Sequence, residues 1–439
     1  MHFFVWYGSL FSYLYPLLSI YVYKVVLLYD VSYHRSTARL TLLTILNTFY
    51  LVKNYKICYQ SFFRYILMTT LSWKRIACFG PFRASRNVFT SVLRKETKNE
   101  NDLTKLQLSQ MINVLQRMSS DDARQLLFDG SRRARILEHA DRQIQNNDNI
   151  TRHQALAEIY KTYFTQTGSR RGASFLLNDL GFMLEERLLN DVDKLIEYRF
   201  IPLVAEMPCG SSKLFMRWLL KIIQTHPASK HSFYTDFMSK KATRDDIRFW
   251  LGQESTLDQR FDDILAMFQV GTNGLVKMEV AKNYWDEMGN GDLTKTHTHI
   301  FSQLLNELEV TPSYMAANAL PTSLLTGNLS SCLCLHRHLF YEALGFFGVV
   351  EYLAPMDFTH VVTALQRNDV SEQGQSYHKL HIWIDRIHGA SWLNDVVRTL
   401  IEQKPEATKP ILRGVLARLE TLLLHLNSLS TYFSSINRM

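Results

Sequence analysis

The sequence contains little glycine, proline or cysteine for its 439 residues. Its 18 glycines and 10 prolines exclude collagen-like and proline-rich chains and disfavour an all-β protein, which needs many turns. The five cysteines are odd in number and irregularly spaced, so we expect no disulfide scaffold and a reducing compartment. Apolar residues make up 46% of the chain, which excludes wholesale disorder, and the length suggests two to three domains.

Acidic residues are scarce in the first 100 positions. This segment holds 13 Lys or Arg against 3 Asp or Glu, so the remaining residues sum to −2 although the whole chain carries +8. A segment that is both basic and apolar favours a membrane surface or a targeting role over a nucleic-acid groove. We therefore expect no nucleic-acid partner.

Within this segment, residues 4–23 form an uncharged run that is long enough to cross about 30 Å of hydrocarbon as a helix. The run is rich in tyrosine and contains Pro16, and it lacks the basic start and cleavage site of a signal peptide. Three interpretations stay open: a membrane anchor, with association through residues 1–80; a helical extension lying on the main domain; or a segment outside any packed structure.

From Leu103 onward, apolar residues recur at spacings of three to four, which is typical of amphipathic helices. No alternating strand pattern and no internal repeat is present, and the run 208–212 is the best boundary. The sequence therefore predicts an all-α protein in three parts. These are a basic apolar segment (1–100), a helical N-terminal region (101–208) and a C-terminal helical domain (209–439).

The sharpest motif lies in residues 377–388. On one helix, His381, Asp385 and His388 fall within about 60° of one another, because each residue turns the chain by about 100°. The flanking residues are apolar, so this face is expected to be buried, where two imidazoles and a carboxylate need a partner. A metal ion would supply it, and nitrogen and oxygen ligands suit iron, manganese or zinc. His378, one turn earlier, is a candidate for an outer hydrogen-bonding group.

A two-metal site in a helical bundle needs carboxylates from further helices. Glu351 ends an apolar stretch in which a buried acid is unexpected, and Gly345 and Gly348 would permit close helix approach. Glu342 lies on the opposite side of that helix and is not expected in the same site.

A second candidate segment contains Glu287 and His297, ten residues apart. An unbroken helix would separate them by about 80°. Gly289 and Gly291 can interrupt the helix and rotate the two side chains toward each other. His299 points about 160° away from His297, so only one of the two histidines can face inward.

Other metal-like or catalytic patterns are weak. Cys332, Cys334, His336 and His338 alternate by two, so on a helix they scatter, and a zinc site there would need an extended backbone. The chain has no phosphate-binding loop and no serine nucleophile elbow.

The three ligand-bearing segments together resemble the heme-oxygenase-like iron-containing redox enzymes, which include di-iron oxidases and oxygenases. The likeness covers about residues 228–430 and rests on Trp285 to Asp292 followed by His297 and Phe301, on Leu344-Gly345 with Glu351, and on the 381–388 motif. It implies a heme-oxygenase-like seven-helix bundle with two non-haem irons, and Glu254 as a looser further carboxylate. The implied metal ligands are Glu287, His297, Glu351, His381, Asp385 and His388.

The resemblance also implies a function. We expect activation of O₂ at the di-iron site and oxidation of a small organic substrate, with electrons from an external donor. The catalytic domain is expected in the cytoplasm, attached to a membrane if the N-terminal segment is an anchor. Two alternatives stay open: a haem-binding protein of the same fold, and a non-catalytic, membrane-associated helical scaffold.

Overall fold

The computed structural model describes residues 102–164 and 172–436. The predicted membrane-associated segment, residues 1–100, lies outside the described residues. The described part of the chain contains sixteen α-helices and no strand, so the all-α prediction is confirmed. The helices are α1 (Leu108–Arg117), α2 (Ser120–Phe128), α3 (Gly130–Asn146), α4 (Asn149–Lys161), α5 (Ser174–Glu206), α6 (Ser212–Thr225), α7 (Arg244–Glu254), α8 (Phe261–Gln269), α9 (Gly274–Glu287), α10 (His297–Glu307), α11 (Pro312–Asn318), α12 (Pro321–Leu335), α13 (Phe340–Arg367), α14 (Glu372–Ser391), α15 (Arg398–Gln403) and α16 (Thr408–Ser435).

Shorter helical segments connect several of these elements. The 3-10 helices are Leu103–Lys105, Pro227–Lys230, Asp258–Arg260, Gly289–Gly291, Leu293–Lys295, Arg337–Leu339 and Pro405–Ala407, and the π-helices are Phe233–Met238 and Trp392–Val397.

Polar caps fix where several helices begin. Thr243 and Asp246 form a capping box at the start of α7, in which the amide of Thr243 donates to the Asp246 carboxylate over 2.8 Å. Ser371 caps α14, the helix that carries the 381–388 motif, by accepting from the Gly374 amide. These caps set the start of each helix and thus the direction in which its later side chains point.

Helix α13 packs against both α14 and α16. Glycines allow the α13–α16 contact to be unusually close. A Cβ atom at Gly345 would lie 2.1 Å from the carbonyl oxygen of Ile411, and one at Gly414 would lie 1.9 Å from that of Glu342. No other residue fits at either position without moving the helices apart, so the backbone contact itself requires glycine.

One helical stretch among the described residues, Arg337–Arg367, is long and apolar enough to cross a membrane by length and composition alone. However, 61% of its most apolar window is buried inside the protein. It also carries the buried acid Glu351. The apolar composition of this stretch is therefore explained by its position as the central helix of the core.

The region before residue 208 and the region after it share one hydrophobic core, which runs from Leu103 to Phe433. Helix α5 packs along α16, where Tyr198 donates a hydrogen bond to Glu420 over 2.9 Å and Arg199 pairs with the same carboxylate. A loop separates α5 from α6 at the predicted boundary. The division into domains at residue 208 stays a prediction.

Candidate metal centre

The six side chains that the resemblance implied as ligands come from four helices. Glu287 is the last residue of α9, His297 is the first of α10, and Glu351 lies in the middle of α13. Helix α14 supplies the other three. All six are between 2% and 5% exposed. Their donor atoms form two groups of three in which every atom lies within 4.8 Å of the others: Glu287, His297 and His381; and Glu351, Asp385 and His388.

The convergence of Glu287 and His297 depends on a break between α9 and α10. Gly289 has φ +61°, Asn290 has φ +54° and Gly291 has φ +87°, so the chain leaves the helix through the left-handed region. A Cβ at Gly289 would meet the backbone of Lys295 at 2.5 Å, which makes glycine necessary there. The 3-10 turn Leu293–Lys295 then leads the chain to the start of α10 at His297.

The first group has the geometry of donors that share an ion. His297 Nδ1 lies 2.8 Å from Glu287 Oε2. The same Nδ1 atom is shielded from solvent and has no hydrogen-bond partner. Two atoms bound to one ion at about 2 Å each lie about 3 Å apart without bonding to each other. His381 donates from Nδ1 to the Tyr377 carbonyl over 2.8 Å in the tautomer that leaves Nε2 free as a ligand.

The second group is more open. His388 Nδ1 lies 3.7 Å from Glu351 Oε2 and 3.9 Å from Asp385 Oδ1, and this nitrogen also lacks a hydrogen-bond partner. Two further residues of α9 hold the group in place. Asp286 accepts from His388 Nε2 over 3.0 Å, and Asn283 donates to Glu351 Oε1 over 2.9 Å. Such outer hydrogen bonds fix the tautomer and direction of metal ligands.

Burial sets the protonation of this cluster. Desolvation raises the pKa of Glu287 to about 7 and raises the pKa of Glu351 and Asp385 from their usual values. It also lowers the pKa of His297 and of His381 to about 4. Three buried acids and two of the imidazoles therefore disfavour their charged forms. Bound metal ions would supply a compensating positive charge and accept all six donors, so the residues fit a metal site.

Some candidates lie elsewhere. Glu342 faces Arg413, with a 3.4 Å ion pair, as expected for the opposite side of α13. His299 is exposed and bonded to Gln303, so His297 is the histidine that faces inward. Glu254 lies 3.8 Å from His425 and belongs to neither group of three.

His378 is fully buried, and neither of its ring nitrogens has a hydrogen-bond partner. Its ring packs edge-on against Phe358, with centroids 4.7 Å apart. It therefore does not make the outer hydrogen bond to a ligand that its position one turn before His381 had indicated.

Sequence reasoning missed Asn283 and Asp286. A signal was available for Asn283, which lies four residues before Glu287 and so shares its helix face. Asp286 lies next to Glu287 and about 100° round the helix, so spacing gave no such signal for it.

An all-α bundle that buries a cluster of carboxylates and imidazoles defines a helical metalloprotein candidate. Residues 248–422 match the model of a family described as iron-containing redox enzyme. The match covers less than half of the chain and contains all six residues of the cluster. It bears out the resemblance for the C-terminal half and supports an iron-dependent redox function. No curated protein matches the sequence significantly.

Proposed function

We propose that this protein is a non-haem di-iron oxidase or oxygenase, which uses O₂ to oxidise a small organic substrate. One observation carries the proposal: six buried donors, in two adjacent groups of three, include two imidazole nitrogens that no protein atom satisfies. The family match supports iron as the metal. An external electron donor is part of the proposal, because two ferrous ions hold too few electrons for repeated turnover.

The ligand set is chemically balanced for this role. Three carboxylates would carry −3 and two ferrous ions +4, so the net charge of the site would be about +1. A buried site tolerates this charge better than that of two cations without anionic ligands. Three protein ligands per ion leave coordination positions open, and such open N/O sites are typical of iron that activates O₂. When bound, the two irons would supply the electrons and the oxygen activation.

The residues of this chain would bind, orient and shield. Asp286 accepts a ring N–H of His388, and the Tyr377 carbonyl accepts a ring N–H of His381. The other nitrogen of each ring is therefore the one that would bind a metal. Asn283 holds one oxygen of Glu351 and leaves the other free. Since all six donors are at most 5% exposed, bulk water is excluded from the site.

The haem alternative has less support. A haem needs one axial histidine, whereas this cluster buries three carboxylates and three imidazoles together. Buried acids beside a porphyrin face would have no cationic partner. A non-catalytic scaffold would also leave the unsatisfied imidazole nitrogens without a role.

The test is O₂ consumption by protein that is reconstituted with Fe(II) under anaerobic conditions. We expect a burst of uptake that stops when the ferrous iron is exhausted and continues when a reductant is added. The same protein loaded with Zn(II), which has no redox chemistry, is the control. An absorption band typical of bound haem in the purified protein, or no uptake by protein that holds two irons, would overturn the proposal.

A further inference from the structure

A second cluster of metal-binding side chains lies outside the six-donor centre. Glu185 of α5, Cys332 of α12 and His336, the residue that follows α12, bring their donor atoms within 4.8 Å of one another. Cys332 is fully buried and Glu185 is largely buried. The His336 side chain is 36% exposed, so the cluster lies near the protein surface.

The helix geometry explains why two of these donors meet. Cys332 and His336 are four residues apart, so they lie on one face at the end of α12. Cysteines and histidines that alternate by two were expected to point in different directions around the helix. Cys334 does point away from this cluster, and its thiol bonds the Ser331 carbonyl instead. An extended backbone through the whole motif is therefore not needed for a metal site, because the third donor comes from another helix.

The cluster shows the same feature as the di-iron candidate. His336 Nε2 lies 3.0 Å from Glu185 Oε2. This nitrogen is shielded from solvent and its N–H does not point at that oxygen, although the neighbouring Glu185 carboxylate raises the pKa of His336 as it would in an ion pair. The Tyr160 hydroxyl donates to the other carboxylate oxygen, Glu185 Oε1, over 2.7 Å. One oxygen is thus held by an outer hydrogen bond, and the other is directed at the histidine and the cysteine.

We propose that Glu185, Cys332 and His336 bind one zinc ion. A thiolate, an imidazole and a carboxylate form a ligand set that suits Zn²⁺, with water completing a tetrahedron. Binding displaces the thiol proton of Cys332 to solvent, as zinc does with any coordinating cysteine. The ion would tie α5, from the helical region before residue 208, to α12 of the C-terminal domain.

Cobalt(II) is the probe for this site, because a thiolate bound to Co²⁺ gives an intense near-ultraviolet charge-transfer band. The six-donor centre contains no sulfur, so cobalt bound there gives no such band. We expect about one band-forming Co²⁺ per full-length chain, displaced by Zn²⁺. Cys332→Ser should abolish the band, and Cys334→Ser, a buried cysteine two residues away, should retain it.

Two further variants keep the test decisive if Cys332→Ser fails to fold. His336→Ala, at a partly exposed position, should also abolish the band, and Tyr160→Phe should weaken cobalt binding about 10-fold or more. Iron content at the six-donor centre should stay unchanged in all of them. A folded wild type without the band, or a band that survives Cys332→Ser, would overturn the proposal and leave the three groups as a metal-free hydrogen-bonded contact.

Discussion

Replacing His297 by alanine should remove one of two iron sites, whereas replacing His299 should remove none. The two residues are on the same turn of α10, which makes them a matched pair. His297 is 4% exposed and its Nδ1 lies 2.8 Å from a Glu287 oxygen, while His299 is exposed and bonds Gln303. Only the first loss takes a donor from the cluster.

The magnitude follows from ligand linkage. A ligand that binds only the folded protein adds about 2.7 kcal/mol of stability when its free concentration is 100 times its dissociation constant. Two iron sites therefore add about 5 kcal/mol under that condition, and the His297→Ala variant should keep about half. In the iron-free protein the same substitution should lower the unfolding free energy by only about 1 kcal/mol. The lost packing of the ring is partly offset, because a buried ring nitrogen that lacks a hydrogen bond is removed as well.

The assay is urea unfolding of the wild type and both variants, with and without ferrous iron, under anaerobic conditions. The iron-dependent difference in unfolding free energy isolates the site from general effects on packing. A full wild-type response in His297→Ala, or a halved response in His299→Ala, would refute the assignment of His297 to the centre.

Three further predictions test the surroundings. Gly414→Ala should destabilise the fold by about 2 kcal/mol in urea unfolding, despite the better helix propensity of alanine, because its Cβ would lie 1.9 Å from the Glu342 carbonyl oxygen. Asp286→Ala should weaken iron binding about 10- to 100-fold in anaerobic titrations while leaving the circular dichroism unchanged, because His388 loses its acceptor. Asp357 is half-buried, and desolvation raises its pKa from 3.8 to about 8 although the charge of Arg418 opposes the shift. Its neutral form is favoured in the folded protein, so this contribution to stability is fully present below about pH 4 and is lost as the pH rises through about 8. Asp357→Asn should therefore flatten the pH dependence of unfolding and stabilise the protein at pH 7 by about 1–2 kcal/mol, and equal stability of the two proteins at pH 7 would contradict this.

The parts of the site that could be predicted from the sequence lie within single helices. His381, Asp385 and His388 share a face because the helical period alone fixes their angles, and no knowledge of packing is needed. Glu351 was recognisable as an acid inside an apolar run. The all-α class followed in the same way from spacing and from the scarcity of glycine and proline.

The remainder depends on tertiary contacts that no local pattern encodes. The turn between Glu287 and His297 has three consecutive residues at positive φ, and Gly289 approaches the backbone of Lys295 within it. The glycines indicated a break but could not give the angle. Glu185 lies 147 positions before Cys332, so only the packing of α5 on the rest of the core brings them together.

The polar partners of the cluster show the same limit. Asp286 contacts His388, which is 102 residues away in sequence. Asn283 likewise reaches Glu351 across 68 positions. Helical spacing placed Asn283 on the face of Glu287, but the bonds of Asn283 to Glu351 and of Asp286 to His388 depend on where the fold sets α9 beside α13 and α14.

If six buried side chains hold two non-haem irons, the iron content of the full-length protein should show it. Protein that has been reconstituted anaerobically with Fe(II) and freed of unbound metal should contain two irons per chain and show no haem absorption. It should lose iron when Asp385 is replaced by alanine. Iron-free wild type, iron present only as haem, or an Asp385→Ala variant with unchanged iron content would contradict it.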